Sequence, residues 1–206
     1  LTPGGWLVTY TQGSHLYALE LDAEGRPKAR HDISGAGGGQ VSDFDLDFSF
    51  FGEERFTEDG IPYVKYRLSS VVFVWVATAQ DGSSRVMSGS LAVDGKIGPV
   101  IQRSEAAVPP AAVEDPAVAA GIPKKGEATD RGFTWRQRVG SDWRIALRLF
   151  DAEGAAGPVA FASELIGDAS EPGIAALIGG GYRVAWIQQT PQGKNIITAG
   201  YGADGQ

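Results

Sequence analysis

The 206-residue chain reads as an all-β protein, a β-propeller of about four four-stranded blades that forms part of a larger ring. Three observations predict this. One strand-turn-strand unit recurs four times. A short strand of small residues precedes it at least twice. The 29 glycines are spread along the chain rather than gathered in a linker, which suits many tight turns. The competing all-β arrangement is a sandwich of short strands, which does not require repetition strand by strand.

The first copy runs through Gly5-Trp-Leu-Val-Thr-Tyr10, then Leu16-Tyr-Ala-Leu-Glu-Leu21, and closes on Asp22-Ala-Glu-Gly25. The second has Val71-Val-Phe-Val-Trp75, a turn at Gly82, an alternating stretch over 85–93, and Asp94-Gly95. The third has Gly132-Phe-Thr-Trp-Arg-Gln137, a strand over 143–150, and Asp151-Ala-Glu-Gly154. The fourth has Gly181-Tyr-Arg-Val-Ala-Trp186, Ile196-Ile-Thr-Ala-Gly-Tyr201, and Ala203-Asp-Gly205. This alignment sets Tyr10, Trp75 and Trp186 at equivalent buried positions and puts Gln137 in the aromatic's place. Repeats of one domain spanning 1–206 then fall at about 1–40, 41–106, 107–165 and 166–206.

Each unit has a strand grammar. Glu114-Asp-Pro-Ala-Val-Ala-Ala120 precedes the third copy as Ser170-Glu-Pro-Gly-Ile-Ala-Ala176 precedes the fourth, each a short inner strand. An aromatic strand follows, then an alternating one; Ile145, Leu147 and Leu149 interleave with Ala146, Arg148 and Phe150. Gly157-Pro-Val-Ala-Phe-Ala-Ser163 supplies a short outer strand. Residues 71–77 are apolar throughout, as a central strand covered on both faces should be. The first and last copies show three strands and the middle two show four. Open blades expose unpaired backbone and apolar faces, so further blades from a longer polypeptide or a partner chain are expected.

With Glu-Pro-x-Ile-Ala-Ala-Leu, Gly-Gly-Tyr-x-Val-Ala-Trp and Phe-Asp-Ala-x-Gly quoted, the chain resembles the short tandem repeats of large secreted, adhesin-like bacterial proteins. The resemblance implies a propeller fold and export to a secreted, cell-surface or periplasmic location; some such chains are calcium-rich.

Composition narrows the partners. The formal charge of −7 repels phosphate backbones and anionic lipid, so neither nucleic acid nor a membrane surface is expected. No apolar run approaches a membrane span. The absence of cysteine excludes disulfides and thiolate metal sites.

Chemistry-bearing residues are few. Asp43, Asp45 and Asp47 alternate with Phe44, Leu46 and Phe48, which puts three carboxylates on one face of a strand; calcium, which takes clustered oxygens, is the one cofactor this arrangement points to. Asp130-Arg-Gly-Phe-Thr-Trp135 matches most of the Asp-box of sialidase-type propellers, a structural turn, but lacks its serine. His15 and His31 stand in no nucleophile, metal or phosphate motif and are read as surface residues. Trp135 and Trp143 could stack on a sugar but read first as core. No catalytic residue is assigned. The expected function is a binding or scaffold module of a larger exported bacterial protein, presenting loops to a protein or glycan. A glycan-active enzyme of glycoside hydrolase type and a structural subunit of an assembly are the alternatives.

Overall fold

The computed structural model describes residues 4–35, 39–105, 112–123, 129–151, 154–163 and 167–202. It is all-β, with no helix among these residues. The first sheet holds β1 (Trp6–Gln12), β2 (His15–Leu21) and β3 (Pro27–Asp32). The second holds β4 (Gln40–Phe56), β5 (Pro62–Thr78), β6 (Ser84–Ala92) and β7 (Ile101–Gln102). The third holds β8 (Val113–Ala120), β9 (Arg131–Val139), β10 (Asp142–Phe150) and β11 (Ala160–Phe161). The fourth holds β12 (Ala169–Ala176), β13 (Tyr182–Thr190) and β14 (Gly193–Tyr201). Every sheet is an antiparallel meander in chain order.

A serine fixes the alignment of the copies. The Leu16 N–H donates to Ser34 Oγ (3.0 Å), Val86 N–H to Ser104 Oγ (2.9 Å), and Ile145 N–H to Ser163 Oγ (2.8 Å). In each case the residue before the serine returns a hydrogen bond: Ile33, Arg103 and Ala162 donate to the carbonyls of Leu16, Val86 and Ile145. The outer strands are only two residues long in the second and third sheets. These side-chain clasps hold them where the ladder is too short to do so.

Counting from those clasps, Tyr10, Trp75 and Trp135 are equivalent, and Trp186 joins them because it faces the same inner-strand irregularity as Trp75 and Trp135. Trp135, not Gln137, is therefore the aromatic of the third copy. The sequence alignment was two residues out because it matched Gly132 to Gly181, whereas the pairing matches Gly132 to Arg183. Gln137 accepts a hydrogen bond from Trp135 Nε1 at 3.0 Å, and Gln188 accepts one from Trp186 Nε1 at 3.1 Å. The side chain two residues on thus satisfies an indole N–H that burial would otherwise leave unpaired.

Opposite each of these tryptophans the inner strand carries a bulge. One residue in each bulge has positive φ, and in all three it is acidic: Asp43 (37°), Asp115 (48°) and Glu171 (53°). The bulge is what hid the second copy's inner strand from sequence comparison. Ser42-Asp43 takes the place of Glu114-Asp115 and Ser170-Glu171 without the proline that marks the other two.

The sheets pack face against face in succession, with the inner strands β4, β8 and β12 side by side. Three apolar clusters fill the gaps. Leu16, Ala18 and Ile33 meet Phe73 and Trp75; Val72, Val74 and Val86 meet Phe133 and Trp135; Ile145 and Leu147 meet Tyr182 and Trp186. Residues 71–77 of β5 are buried on both faces, as their unbroken apolar run requires. Each tryptophan lies on the leading face of its sheet, the face turned to the preceding sheet. Tyr10 lies on the leading face of the first sheet, which no described sheet covers, and is only half-buried. No contact of comparable extent joins the first sheet to the fourth among the described residues.

Candidate functional site

A groove of about 770 Å³ opens where the inner strands end. Its floor is made by Asp45 and Asp47 of β4, Val118 and Ala120 of β8, and Ile174 and Ala176 of β12. One wall comes from Phe48, Phe50 and Tyr66. The inner strands make the floor because they lie side by side, and their small residues (Ala117, Ala119, Ala120, Gly173, Ala175) let the three backbones approach.

Tyr66 and Phe50 belong to an arm. β4 and β5 are each 17 residues long, about twice β8 and β9, and their distal halves pair from Phe50↔Leu68 out to Phe56↔Pro62. The tip turns at Gly60 (φ 76°), where Thr57 Oγ1 accepts from the Ile61 N–H at 3.0 Å. Residues that face one another across a ladder share a face. One face of the arm therefore carries Phe50, Tyr66, Val64 and Phe56, all exposed. The other carries Glu53 between Arg55 (2.7 Å) and Arg67 (3.0 Å). Sequence reading passed over the arm, yet its signal was there: alternation on both sides of Asp59-Gly60 is a hairpin pattern.

The three aspartates expected to gather do not do so. Asp43 is the bulged residue, which turns it out of the alternation. Asp45 Oδ2 accepts from the Val118 N–H at 3.1 Å and Asp47 Oδ2 from the Ala120 N–H at 2.9 Å, so both carboxylates bridge to the neighbouring inner strand. Asp47 Oδ1 accepts from the Phe48 N–H at 2.7 Å. Burial pushes the Asp45 carboxyl above its ordinary value; the amides of Val118 and Leu46 pull the other way, and the Asp47 charge adds to the rise. Among the described residues no three His, Asp or Glu side chains form a group able to hold a metal ion.

The remaining candidates fall elsewhere. Asp130 leads into β9 at the end of the β8–β9 connection, part of which lies outside the described residues. Trp135 is core, and Trp143 is partly buried with the Arg136 guanidinium 4.1 Å from its ring centroid. His15 Nδ1 pairs with Asp32 at 2.8 Å, half-exposed. His31 is not the surface residue its sequence context implied: its ring is largely buried and meets Glu20 at 2.8 Å.

The fold and groove define the class: an array of stacked antiparallel sheets whose inner strands floor a groove beneath a hairpin arm. No family model matches the chain, and no curated protein does. Among solved structures it is similar to a thermostable family-43 glycoside hydrolase, at 13% identity and a TM-score of 0.41, over 98% of this chain and 73% of that one.

Proposed function

We propose that the chain is a binding module: a propeller-type scaffold within a larger exported bacterial protein, whose groove and arm take a protein or glycan partner. The observation that carries this reading is the exposed aromatic wall of Phe48, Phe50 and Tyr66 over a floor of small apolar residues. Contiguous exposed apolar surface rimmed by polar residues marks interaction sites, and aromatic side chains supply most of the binding energy in them. The groove's two carboxylates each accept backbone hydrogen bonds, which ties the floor's inner strands together. The uncovered leading face of the first sheet, with Trp6 65% exposed, supports a second element of the reading: further blades, from the same polypeptide or a partner chain, pack there.

A glycan array and a peptide-display screen, run beside chromogenic glycoside assays, test the proposal. The expected result is a ligand bound without turnover, with affinity falling tenfold or more in Tyr66→Ala and Phe50→Ala. Glycoside turnover, or binding that both substitutions leave intact, contradicts it.

A further inference from the structure

The gap between the second and third sheets differs chemically from the other two. In each gap, three positions come together: the residue before the clasping serine, the residue four before the tryptophan of the leading aromatic strand, and a residue on the following strand. Between the first and second sheets these are Ile33, Val71 and Gly89. Between the third and fourth they are Ala162, Tyr182 and Ala199. Between the second and third they are Arg103, Arg131 and Arg148. The repeat builds this corner twice without charge, so packing does not require three arginines there.

The partners given for Arg103 and Arg148 are a hydroxyl, backbone carbonyls and aromatic rings, none of them charged. Arg103 is 5% exposed, and its only side-chain hydrogen bond among the described residues is from Nε to Ser88 Oγ at 2.6 Å. Its guanidinium carbon lies 4.8 Å from the Phe133 ring centroid and 4.2 Å from that of Phe150. Arg148 approaches the same Phe150 ring at 5.4 Å and donates to the Arg103 carbonyl and the Gly157 carbonyl, both at 3.0 Å. Arg131, directly across the ladder from Phe150, keeps a buried Nε with no partner. The charges beside Arg103 are those of Arg131 and Arg148, and Arg131 also faces Tyr182, which Asp130 and Asp47 face in turn. Burial, with the Arg131 and Arg148 charges beside it, draws Arg103 down to about 10, which leaves it cationic at neutral pH. A buried guanidinium is costly unless paired, and cation–π contacts offset only part of that cost. In a chain of net charge −7, three guanidiniums drawn together in one gap favour an anion between them.

We propose that Arg103, Arg131 and Arg148 form an oxyanion site between the second and third sheets, taking a sulfate, phosphate or carboxylate group. The site is separate from the groove and does not depend on what the groove binds. Guanidinium forks match the paired oxygens of such groups, and the aromatic rings of Phe133 and Phe150 hold Arg103 in place.

The test is thermal unfolding and calorimetry of the whole chain with sodium sulfate, sodium phosphate or sodium glucuronate, against sodium chloride at equal ionic strength and glucose as the uncharged sugar. The proposal expects an oxyanion to raise Tm saturably, by roughly 3–6 °C at tenfold excess over Kd, where chloride and glucose do not. The sulfate and glucuronate arms separate a free inorganic anion from an acidic sugar. Arg131→Gln and Arg148→Gln should each lower the affinity at least tenfold. Arg103→Ile, which copies Ile33 of the first sheet, should fold, abolish the response and match or exceed the ligand-free wild type in Tm. Equal shifts with chloride and the oxyanions, or an oxyanion response that survives in Arg131→Gln and Arg103→Ile, overturn the proposal.

Discussion

Trp75, Trp135 and Trp186 occupy one position in three sheets, and Tyr10 occupies the same position in the first. The three tryptophans are at most 5% exposed, while Tyr10 is only partly buried and Trp6 and Val8 beside it are exposed. Strand, pairing and side of the sheet are the same in all four. What differs is the neighbour: the second, third and fourth sheets each have a preceding sheet against their leading face, and the first has none among the described residues. In this molecule, burial belongs to the gap between sheets and not to the sheet alone, as expected for tandem units that cannot bury their faces singly. Tyr10 instead stacks on Tyr17 (centroids 5.7 Å apart) with Arg30 lying over Tyr17 at 3.7 Å, a surface arrangement that keeps polar groups in water.

The largest expected effect follows from that contrast. Trp135→Ala should cost about 3–5 kcal/mol in urea unfolding, because it empties a closed gap, while Tyr10→Ala at the matching position should cost under about 1 kcal/mol. Equal losses at the two positions would break the comparison. Next comes the clasp. Ser163→Ala strands the buried N–H of Ile145 and should cost about 1–3 kcal/mol, with faster amide exchange at Ile145; unchanged exchange there would show that the clasp is incidental.

A smaller, pH-dependent effect belongs to Asp45. Its folded value is raised, so the carboxyl contributes most below the unfolded value of about 3.9, and that contribution is lost as pH rises through the folded value. Asp45→Asn keeps an acceptor for the Val118 N–H and carries no charge. Its stability relative to wild type should therefore improve as pH climbs from the acid range toward neutrality. Asp45→Ala, which leaves that N–H unpaired, should be destabilised by about 1–2 kcal/mol at neutral pH. A flat Asn-minus-wild-type profile would show that burial does not govern this group.

Much of the fold was legible in the sequence because repetition is a signal that survives divergence. The all-β class, the inner strand before each of the last two aromatic strands, and the Asp-x-x-Gly turns could all be read. Those turns close as expected, with Asp22 and Asp151 accepting backbone N–H groups at 2.8 Å and 2.7 Å and Gly25 and Gly154 at positive φ. The third aromatic was misplaced because glycines that look alike do not pair alike; only the serine clasps, residues apart in sequence and joined across strands, fix the register. The site was less legible. Period-2 alternation put Asp43 with Asp45 and Asp47, but one bulged residue with positive φ breaks that period, and nothing in the composition of Ser42-Asp43-Phe44 announces a bulge. The arginine corner was hidden for a different reason: Arg131 and Arg148 come from β9 and β10 and Arg103 from just past β7 in another sheet, and only aligned copies reveal that the same corner is uncharged elsewhere.

The central claim is that the four sheets are equivalent units whose leading faces are closed by the preceding sheet. Hydroxyl-radical footprinting at low protein concentration, read by peptide mass spectrometry, tests it most directly. The account predicts fast oxidation of Trp6 and of the 80%-exposed Ile196, slower oxidation of Tyr10, and strong protection of Trp75, Trp135 and Trp186 together. Oxidation of Trp135 or Trp186 at the rate of Trp6 would contradict the equivalence on which the fold, the clasps and the arginine corner all rest.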